Sequence, residues 1–284
     1  MKVYLVGGAV RDSLLGLPFH ERDWVVVGAT KKELTDKGYK QIGKDFPVFL
    51  HPETKEEYAL ARKERKTGTG HKAFSFEFDK NVSLEEDLER RDITINAIAQ
   101  DNEGNFIDPY NGHQDIEDKI IRKVSEAFKE DPLRVLRVAR FSAKLKKLGF
   151  NIEEGTKKEI KDIVNSGELK TLSKERVWME THKALETDNP EIYFDVINEC
   201  GALNQICPLN SIDTNYLSKA SKEETDTSFR WACLVSPSSL VEEINNSFNA
   251  PKEFKEISVI CNQIITFKGL DSISAEDIIE LADK

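Results

Sequence analysis

Cysteine is scarce in this 284-residue chain: there are four, at Cys200, Cys207, Cys233 and Cys261. All lie in the last third and no two have Cys-x-x-Cys spacing, which excludes a disulfide framework and a zinc ribbon. Long apolar runs are missing too. The longest stretch without a charged residue, Cys200 to Ile212, holds 13 residues including Asn, Gln and Pro, too few and too polar for a bilayer span. The N-terminus enters an apolar strand-like run directly, with no basic region, apolar helix and cleavage site in succession, so a cytoplasmic protein is expected. Positive charge is also short. With 41 Lys+Arg against 51 Asp+Glu the net charge is −10, which argues against a protein that coats nucleic acid. The imbalance is uneven, however. Residues 1–150 hold 27 Lys+Arg and 26 Asp+Glu, whereas residues 151–284 hold 14 and 25. A nucleic-acid substrate should therefore meet the first half of the chain and the helix that follows it.

What is present is concentrated in residues 1–28. Val3-Tyr4-Leu5-Val6 stops at Gly7-Gly8, a polar helix start carries Arg11 and Asp12, and Glu21 and Asp23 precede Trp24-Val25-Val26-Val27. This order reads as strand, glycine turn, helix, loop and strand. A glycine pair lets main-chain N–H groups approach a phosphate with no Cβ between. Arg11 can offer a planar, permanently charged fork to phosphate oxygens. The i, i+2 spacing places Glu21 and Asp23 on one face of an extended segment, where paired carboxylates can share hard cations such as Mg²⁺.

Further along, Thr30 and Glu33 form a capping-box pattern for a short helix ended by Gly38. Residues 47–51 and 57–62 read as two strands, with Glu57 on the face of Ala59 and Ala61; Glu57 is a candidate third carboxylate or base. A basic, glycine-rich loop follows at 62–72, placed to close over a triphosphate or an RNA end. A helical turn then ends in Arg90-Arg91-Asp92, and an alternating apolar run begins at Ile93; Arg91 and Asp92 could bind a phosphate and a ribose hydroxyl. Residues 102–105 form a turn between strands and a helix is expected over 113–119. Asp131 is expected as the N-cap of a helix with Pro132 at its first position. On that helix Arg134, Arg137 and Arg140 step by three and fan across one face, forming a wall for a nucleotide. Beyond it the chain reads as wholly helical, with Ser173 capping one helix and Pro190 starting another.

Together these stretches resemble the nucleotidyltransferase motif of the DNA polymerase β superfamily, and more narrowly the class II tRNA CCA-adding enzymes and bacterial poly(A) polymerases. Arg-Arg-Asp-x-Thr-Ile-Asn-Ala at 90–97 matches the family's second motif, Glu130-Asp131 with Arg134 matches its nucleotide-template motif, and residues 173–180 are similar to its neck helix. The resemblance covers residues 1–205. Where the family has Asp-x-Asp this chain has Glu21-x-Asp23, one methylene longer on the first carboxylate. It implies an α+β fold with a mixed-sheet, polymerase-β-like head over 1–125. A helical neck and nucleotide- and tRNA-binding region would span 126–205; beyond the resemblance, residues 206–284 read by composition as a small acidic helical domain punctuated by Pro208, Pro237 and Pro251. The resemblance further implies that Glu21 and Asp23 hold two Mg²⁺ ions and that Gly8, Arg11, Arg91, Asp92, Arg137 and Arg140 surround the nucleotide. Many longer relatives carry a His-Asp phosphohydrolase domain; the last of the five histidines here is His182, so none is expected.

The expected reaction is template-independent addition of CCA to tRNA 3′ ends from CTP and ATP. Cytosine and adenine each present an amino donor beside a ring-nitrogen acceptor, and uracil and guanine reverse that order. One carboxylate and one guanidinium, Asp131 and Arg134, would thus accept C and A and reject the others. The alternatives are a poly(A) or partial CCA activity, an inactive RNA-binding module, and a small-molecule nucleotidyltransferase, for which a helical neck has no use.

Overall fold

A computed structural model of the chain describes residues 1–42, 48–66, 74–77, 80–223 and 225–268. By its internal contacts it parts into two units, Met1–Asp131 and Pro132–Lys284.

The first unit is built on a mixed sheet. Its strands include β1 Lys2–Val6, β2 Asp23–Val27, β3 Lys40–Ile42, β4 Val48–Leu50, β5 Glu57–Leu60, the hairpin β6 Lys63–Lys66 and β7 Phe74–Glu77, and β8 Ala99–Gln100 and β9 Phe106–Ile107. Seven of them lie in the order β3-β4-β5-β2-β1-β8-β9, with β6 and β7 paired apart from it. All sheet neighbours run antiparallel except β2 and β5, which run parallel with Asp23 opposite Glu57 and Val25 opposite Ala59. The helices of this unit are α1 Gly8–Leu14, α2 Lys31–Asp36, α3 Leu84–Glu89 and α4 Gly112–Glu117.

Period-2 alternation explains why the sheet is covered on both faces. Val6, Val25, Ala61 and Ala99 turn to one side, where Leu84 and Leu88 of α3 pack on them. Leu5, Val26 and Leu60 turn to the other side, against Ala9 and Val10 of α1 and Leu34 of α2. Thr30 caps α2 in a reciprocal box with Glu33, and Ser83 does the same for α3 with Glu86. Gly112, at the start of α4, has no room for a side chain: a Cβ there would meet the Thr94 carbonyl oxygen and the Ile98 side chain.

The second unit is helical: α5 Leu133–Leu145, α6 Glu154–Ser166, α7 Lys174–Leu185, α8 Glu191–Glu199, α9 Leu203–Ile206, α10 Asn215–Ala220, α11 Thr227–Val235, α12 Val241–Phe248 and α13 Lys252–Lys268. Ser173 caps α7 and Pro190 precedes α8. Helix α5 packs on α7 and α8, with Val135, Leu136, Val138 and Ala139 fully buried, and α11 packs on α13. Cys207, Cys233 and Cys261 are buried thiols and Cys200 is half-buried; none is in a disulfide. No helix among the described residues is long and apolar enough to cross a membrane.

Three local expectations are corrected. The run after Asp92 is not a strand: Ile93 makes one isolated bridge to Lys123 and Thr94–Asn96 is a 3₁₀ turn. Thr94 and Asn96 look like the solvent side of an alternating strand, yet both are buried because their side chains find partners, Thr94 at the Asp115 carboxylate (2.6 Å) and Asn96 at Arg11 and Asp92. The α5 N-cap is Pro132, one residue beyond Asp131, which is extended. Helix α4 spans 112–117 rather than 113–119, because Asp118 ends it and Lys119 takes a positive φ of 57°. The glycine-rich part of the basic loop, 67–73, lies outside the described residues.

Candidate active site

The site-forming residues of the first unit gather where β1 ends and β2 and β5 begin. Asp23 is the first residue of β2 and lies opposite Val6, the last of β1. In a parallel pair, residues in register send their side chains to the same face. Asp23 and Glu57 therefore both rise on the α3 side of the sheet, and both are exposed. Glu21 is exposed in the irregular segment two residues before β2.

The chain leaves β1 through Gly7, whose φ of 73° and ψ of −135° belong to glycine. That turn starts α1 immediately and brings the main chain close to two functional groups. A Cβ on Gly7 would lie 3.0 Å from Arg91 Nη1 and 3.8 Å from Asp23 Oδ2. Gly8 is open by comparison, its nearest neighbour being Arg11 Nη2 at 3.6 Å. The glycine turn, the arginine that follows α3 and the β2 carboxylate thus meet at one point.

Arg91 is held there by a carboxylate from inside the fold. Asp87, fully buried on α3, accepts from Arg90 Nη2 at 2.8 Å and lies 3.6 Å from Arg91 Nη2. Burial pushes the Asp87 carboxyl up, but the Arg90 and Arg91 guanidiniums, with the Arg90 hydrogen bond, outweigh it and hold it below the usual carboxylate range. Burial in turn lowers Arg91 from its ordinary value, opposed by the charge of Asp87. Arg91 Nη1 reaches the Asn96 carbonyl oxygen at 3.5 Å, while its Nε is buried with no hydrogen-bond partner among the described residues.

Arg11 is placed differently from expectation. It is 3% exposed, and its fork is taken up by its neighbours: Nε and Nη2 bind Asp12 Oδ1 at 2.8 and 2.7 Å, and Nη1 binds Asn96 Oδ1 at 2.6 Å. Asn96 Nδ2 continues the chain to Asp92 Oδ1 at 2.9 Å. Asp92 is buried, and the same oxygen accepts the Ile93 N–H. Sequence reasoning gave no role to Asn96 or Asp87. The only hint was position, since Asn96 lies within the Thr-Ile-Asn-Ala segment and Asp87 one turn before Arg91.

The α5 arginines belong to the second unit and do not form a solvated stripe. Arg134 is buried. Arg140 Nε binds Glu180 Oε2 of α7 at 2.5 Å, and Arg137 Nη1 lies 3.6 Å from Glu180 Oε1. Both guanidiniums also approach the Phe141 ring, at 4.3 Å for Arg140 and 5.6 Å for Arg137. Asp131 is half-buried at the end of the first unit.

As a metal site, the ends of β2 and β5 offer carboxylate oxygen. No three His, Cys, Asp or Glu side chains among the described residues come close enough to enclose an ion. The exposed Asp23–Glu57 pair suits a hard cation that takes one or two carboxylates and completes its sphere with water and substrate phosphates, which is the habit of Mg²⁺.

Comparison with known proteins agrees with this architecture. Residues 3–122 match the family model of the poly(A) polymerase head domain, and residues 149–211 match that of a probable RNA- and SrmB-binding site of polymerase A. A multifunctional CCA protein of Teredinibacter turnerae is 47% identical over 299 residues, covering 91% of this chain and 73% of the relative. One from Vibrio campbellii is 59% identical over 208 residues, 73% of this chain and 51% of its own, so the chain spans about half the length of that relative. Among solved structures, the CCA-adding enzyme of Bacillus stearothermophilus in complex with CTP superposes with a TM-score of 0.72 at 27% identity, over 93% of this chain and 66% of that one. A tRNA nucleotidyltransferase complexed with a primer tRNA and an incoming ATP analogue gives 0.70 at 27%, over 94% and 81%. With this head, this helical body and a relative of nearly half identity along most of its length, the chain belongs to the tRNA nucleotidyltransferase/poly(A) polymerase family, which includes the CCA-adding enzymes.

Proposed function

We propose that this chain adds CCA to the 3′ end of tRNA from CTP and ATP, without a nucleic-acid template and with Mg²⁺ as the metal. The observation that carries the reading is the convergence of Gly7, Arg91 Nη1 and Asp23 Oδ2, with Glu57 aligned on the same sheet face. The names of the relatives, which refer to CCA, CTP, an ATP analogue and a primer tRNA, point the same way.

The reaction joins the 3′ oxygen of the RNA to the α-phosphorus and releases pyrophosphate as the Pα–O–Pβ bond breaks. It requires positioning and charge neutralisation rather than a covalent intermediate. A bound divalent ion supplies charge neutralisation on the phosphate oxygens and makes the attacking hydroxyl more acidic. Asp23 would hold that ion with one neighbouring carboxylate, Glu57 on the adjacent strand or Glu21 just before β2, the rest of its sphere coming from water and substrate phosphates. Arg91 presents its fork beside a glycine turn that no Cβ obstructs, and so binds the triphosphate. Asp92 accepts from a ribose hydroxyl. Arg11, tied to Asp12 and Asn96, fixes the α1 turn and the Asp92 segment relative to each other. Asp131 and Arg134 select the base by their acceptor–donor pair. Arg137 and Arg140 contact phosphate, kept in place for it by Glu180.

The test is incubation with tRNA lacking its 3′ end, CTP and ATP supplied singly and together, and product lengths read on a sequencing gel. Two additions from CTP and a third on adding ATP support the reading. A long A tail makes it a poly(A) polymerase, one or two nucleotides a partial enzyme, and no extension refutes nucleotidyl transfer to tRNA.

A further inference from the structure

The carboxylates that open β2 and β5 lie opposite each other, and like charges in register across two strands repel. The fold sets them side by side all the same. On the other face of the sheet, where Trp24 packs with Val26 and Leu60, a second set of side chains bridges the same two strand ends. Trp24, the residue after Asp23, donates from Nε1 to Glu56 Oε2 at 3.0 Å, and Glu56 is the residue before Glu57. Arg22, the residue before Asp23, brings Nη1 to 3.6 Å from Glu56 Oε1. Glu56 is thus gripped from the β2 side through both oxygens. It is also tied to its own turn, where Thr54 Oγ1 donates to Oε2 at 3.3 Å and the Glu56 carbonyl accepts the His51 N–H at 3.0 Å. Trp24 is fixed by stacking on Tyr58, with ring centroids 5.6 Å apart and 16° between the planes. The Arg22 ion pair is half-exposed and weak by itself; the part-buried bond from indole to carboxylate is the stronger tie.

We propose that Glu56, bonded to Trp24 and Arg22, is a positioning residue of the metal site. It holds the starts of β2 and β5 together against the repulsion of Asp23 and Glu57, so that the pair is set for a divalent ion before one binds. This deepens the nucleotidyl-transfer reading given above and rests on it. Without the tie the two strand ends splay while the site is empty, and an ion must first draw the carboxylates together; that reorganisation weakens its binding. Chemistry is spared, because a bound ion supplies the attraction that the tie supplied. The signature is a raised metal requirement with turnover kept. Arg22 extends the effect, since it stands between Glu21 and Asp23 and anchors that segment to the same carboxylate.

The decisive variant is Trp24→Phe. It keeps an aromatic ring on Tyr58, alters no charge, and removes only the donor to Glu56. Glu56→Ala, which removes both ties, is measured in the same way, so the constants are obtained even if one variant does not fold. Thermal unfolding in metal-free buffer accompanies two titrations. The first is Mn²⁺ binding without nucleotide, read from the electron paramagnetic resonance of the free ion, with Asp23→Ala as the baseline for ions held elsewhere on this acidic chain. The second is tRNA extension against Mg²⁺ concentration at saturating CTP. Trp24→Phe should bind Mn²⁺ about tenfold more weakly and need about tenfold more Mg²⁺ for half-activation, with kcat at saturating Mg²⁺ within about twofold of wild type. Glu56→Ala should do no less, and adding Trp24→Phe to it should change neither constant further, since both act through one carboxylate. Wild-type metal constants in folded Trp24→Phe overturn the proposal. So does a fall in kcat that Mg²⁺ does not restore, additivity in the double variant, or a wild type that binds no more Mn²⁺ than Asp23→Ala. A wild type that binds Mn²⁺ above that baseline yet extends no tRNA refutes the functional reading instead, and the Mn²⁺ titration of Trp24→Phe still decides the tie.

Discussion

Replacing Gly7 with alanine tests the centre of the site, because two separate penalties can be assigned to it. The first is conformational. Gly7 has a φ of 73° and a ψ of −135°, and an L-residue held there is strained by about 1–3 kcal/mol. The second is steric, since the new Cβ would lie 3.0 Å from Arg91 Nη1, some tenths of an ångström inside normal contact. Arg91 must move: the Nη1 that meets the new Cβ is the atom that donates to the Asn96 carbonyl at 3.5 Å, so that bond yields while Asp87 still holds Nη2 at 3.6 Å. Gly16 separates the two penalties. It has a φ of 67°, and nothing lies within 4 Å of its would-be Cβ. Gly16→Ala should therefore lose about 1–2 kcal/mol with kcat/KM intact. Gly7→Ala should lose about 2 kcal/mol, seen as a fall on the order of 5–10 °C in the melting of the first unit. It should also lose at least about tenfold in kcat/KM for CTP, because a charge-assisted contact to phosphate is worth about 1.5–3 kcal/mol. The measurements are thermal unfolding and steady-state incorporation. If Gly7→Ala melts early but keeps the kcat/KM of Gly16→Ala, Arg91 does not serve the triphosphate and the reasoning is refuted.

Asp23→Ala should abolish incorporation with any divalent metal while leaving the melting curve in place; substantial Mg²⁺-dependent activity would remove Asp23 from the metal pair. Asp131→Ala should admit UTP or GTP with a smaller fall in total transfer, since losing a recognition hydrogen bond reduces discrimination by roughly ten- to a hundredfold, and an unchanged preference in the four-nucleotide comparison would end its base-reading role. Glu180→Gln removes the buried counter-charge of Arg137 and Arg140 and should destabilise the second unit by about 3–5 kcal/mol in denaturant unfolding; a loss below 1 kcal/mol would mean the pair is dispensable. Asp87 has its carboxyl held below the ordinary range, so it contributes stability at neutral pH that is lost as pH falls below the unfolded value of about 4. The stability gap between wild type and Asp87→Asn should accordingly be large at pH 7 and narrow toward pH 3, and a gap that widens on acidification would contradict the assigned sign.

Much of the first unit was legible because its signals are local. The Val-rich runs gave β1 and β2, the Thr30–Glu33 pair gave the start of α2, and the period-2 pattern placed Glu57 on the face of Ala59, the face it shares with Asp23. What the sequence does not carry is the destination of a buried polar side chain. Thr94 and Asn96 alternate with Ile93, Ile95 and Ala97 as they would in a half-exposed strand. Their partners lie 21 residues away at Asp115 and 85 residues away at Arg11, and no periodicity reports a partner at that distance. The same limit hid Arg11. A guanidinium next to a glycine turn looks available to phosphate until Asp12 and Asn96 are seen to occupy it. Glu180, which holds two of the α5 arginines, lies 40 residues beyond Arg140 and carries no local mark of that role.

Strand β2 is flanked on both sides, by β1 and by β5, and neither neighbour is an edge of the sheet. The carboxylate that opens it is therefore attached to backbone that cannot loosen unless two ladders open at once. Segments of that kind exchange their amide hydrogens only when a whole folding unit opens. Catalytic competence of the Asp23–Glu57 pair should thus behave as an all-or-none property. On heating, activity and sheet circular dichroism should vanish along one curve, with the Val25 and Val26 amides among the last to exchange.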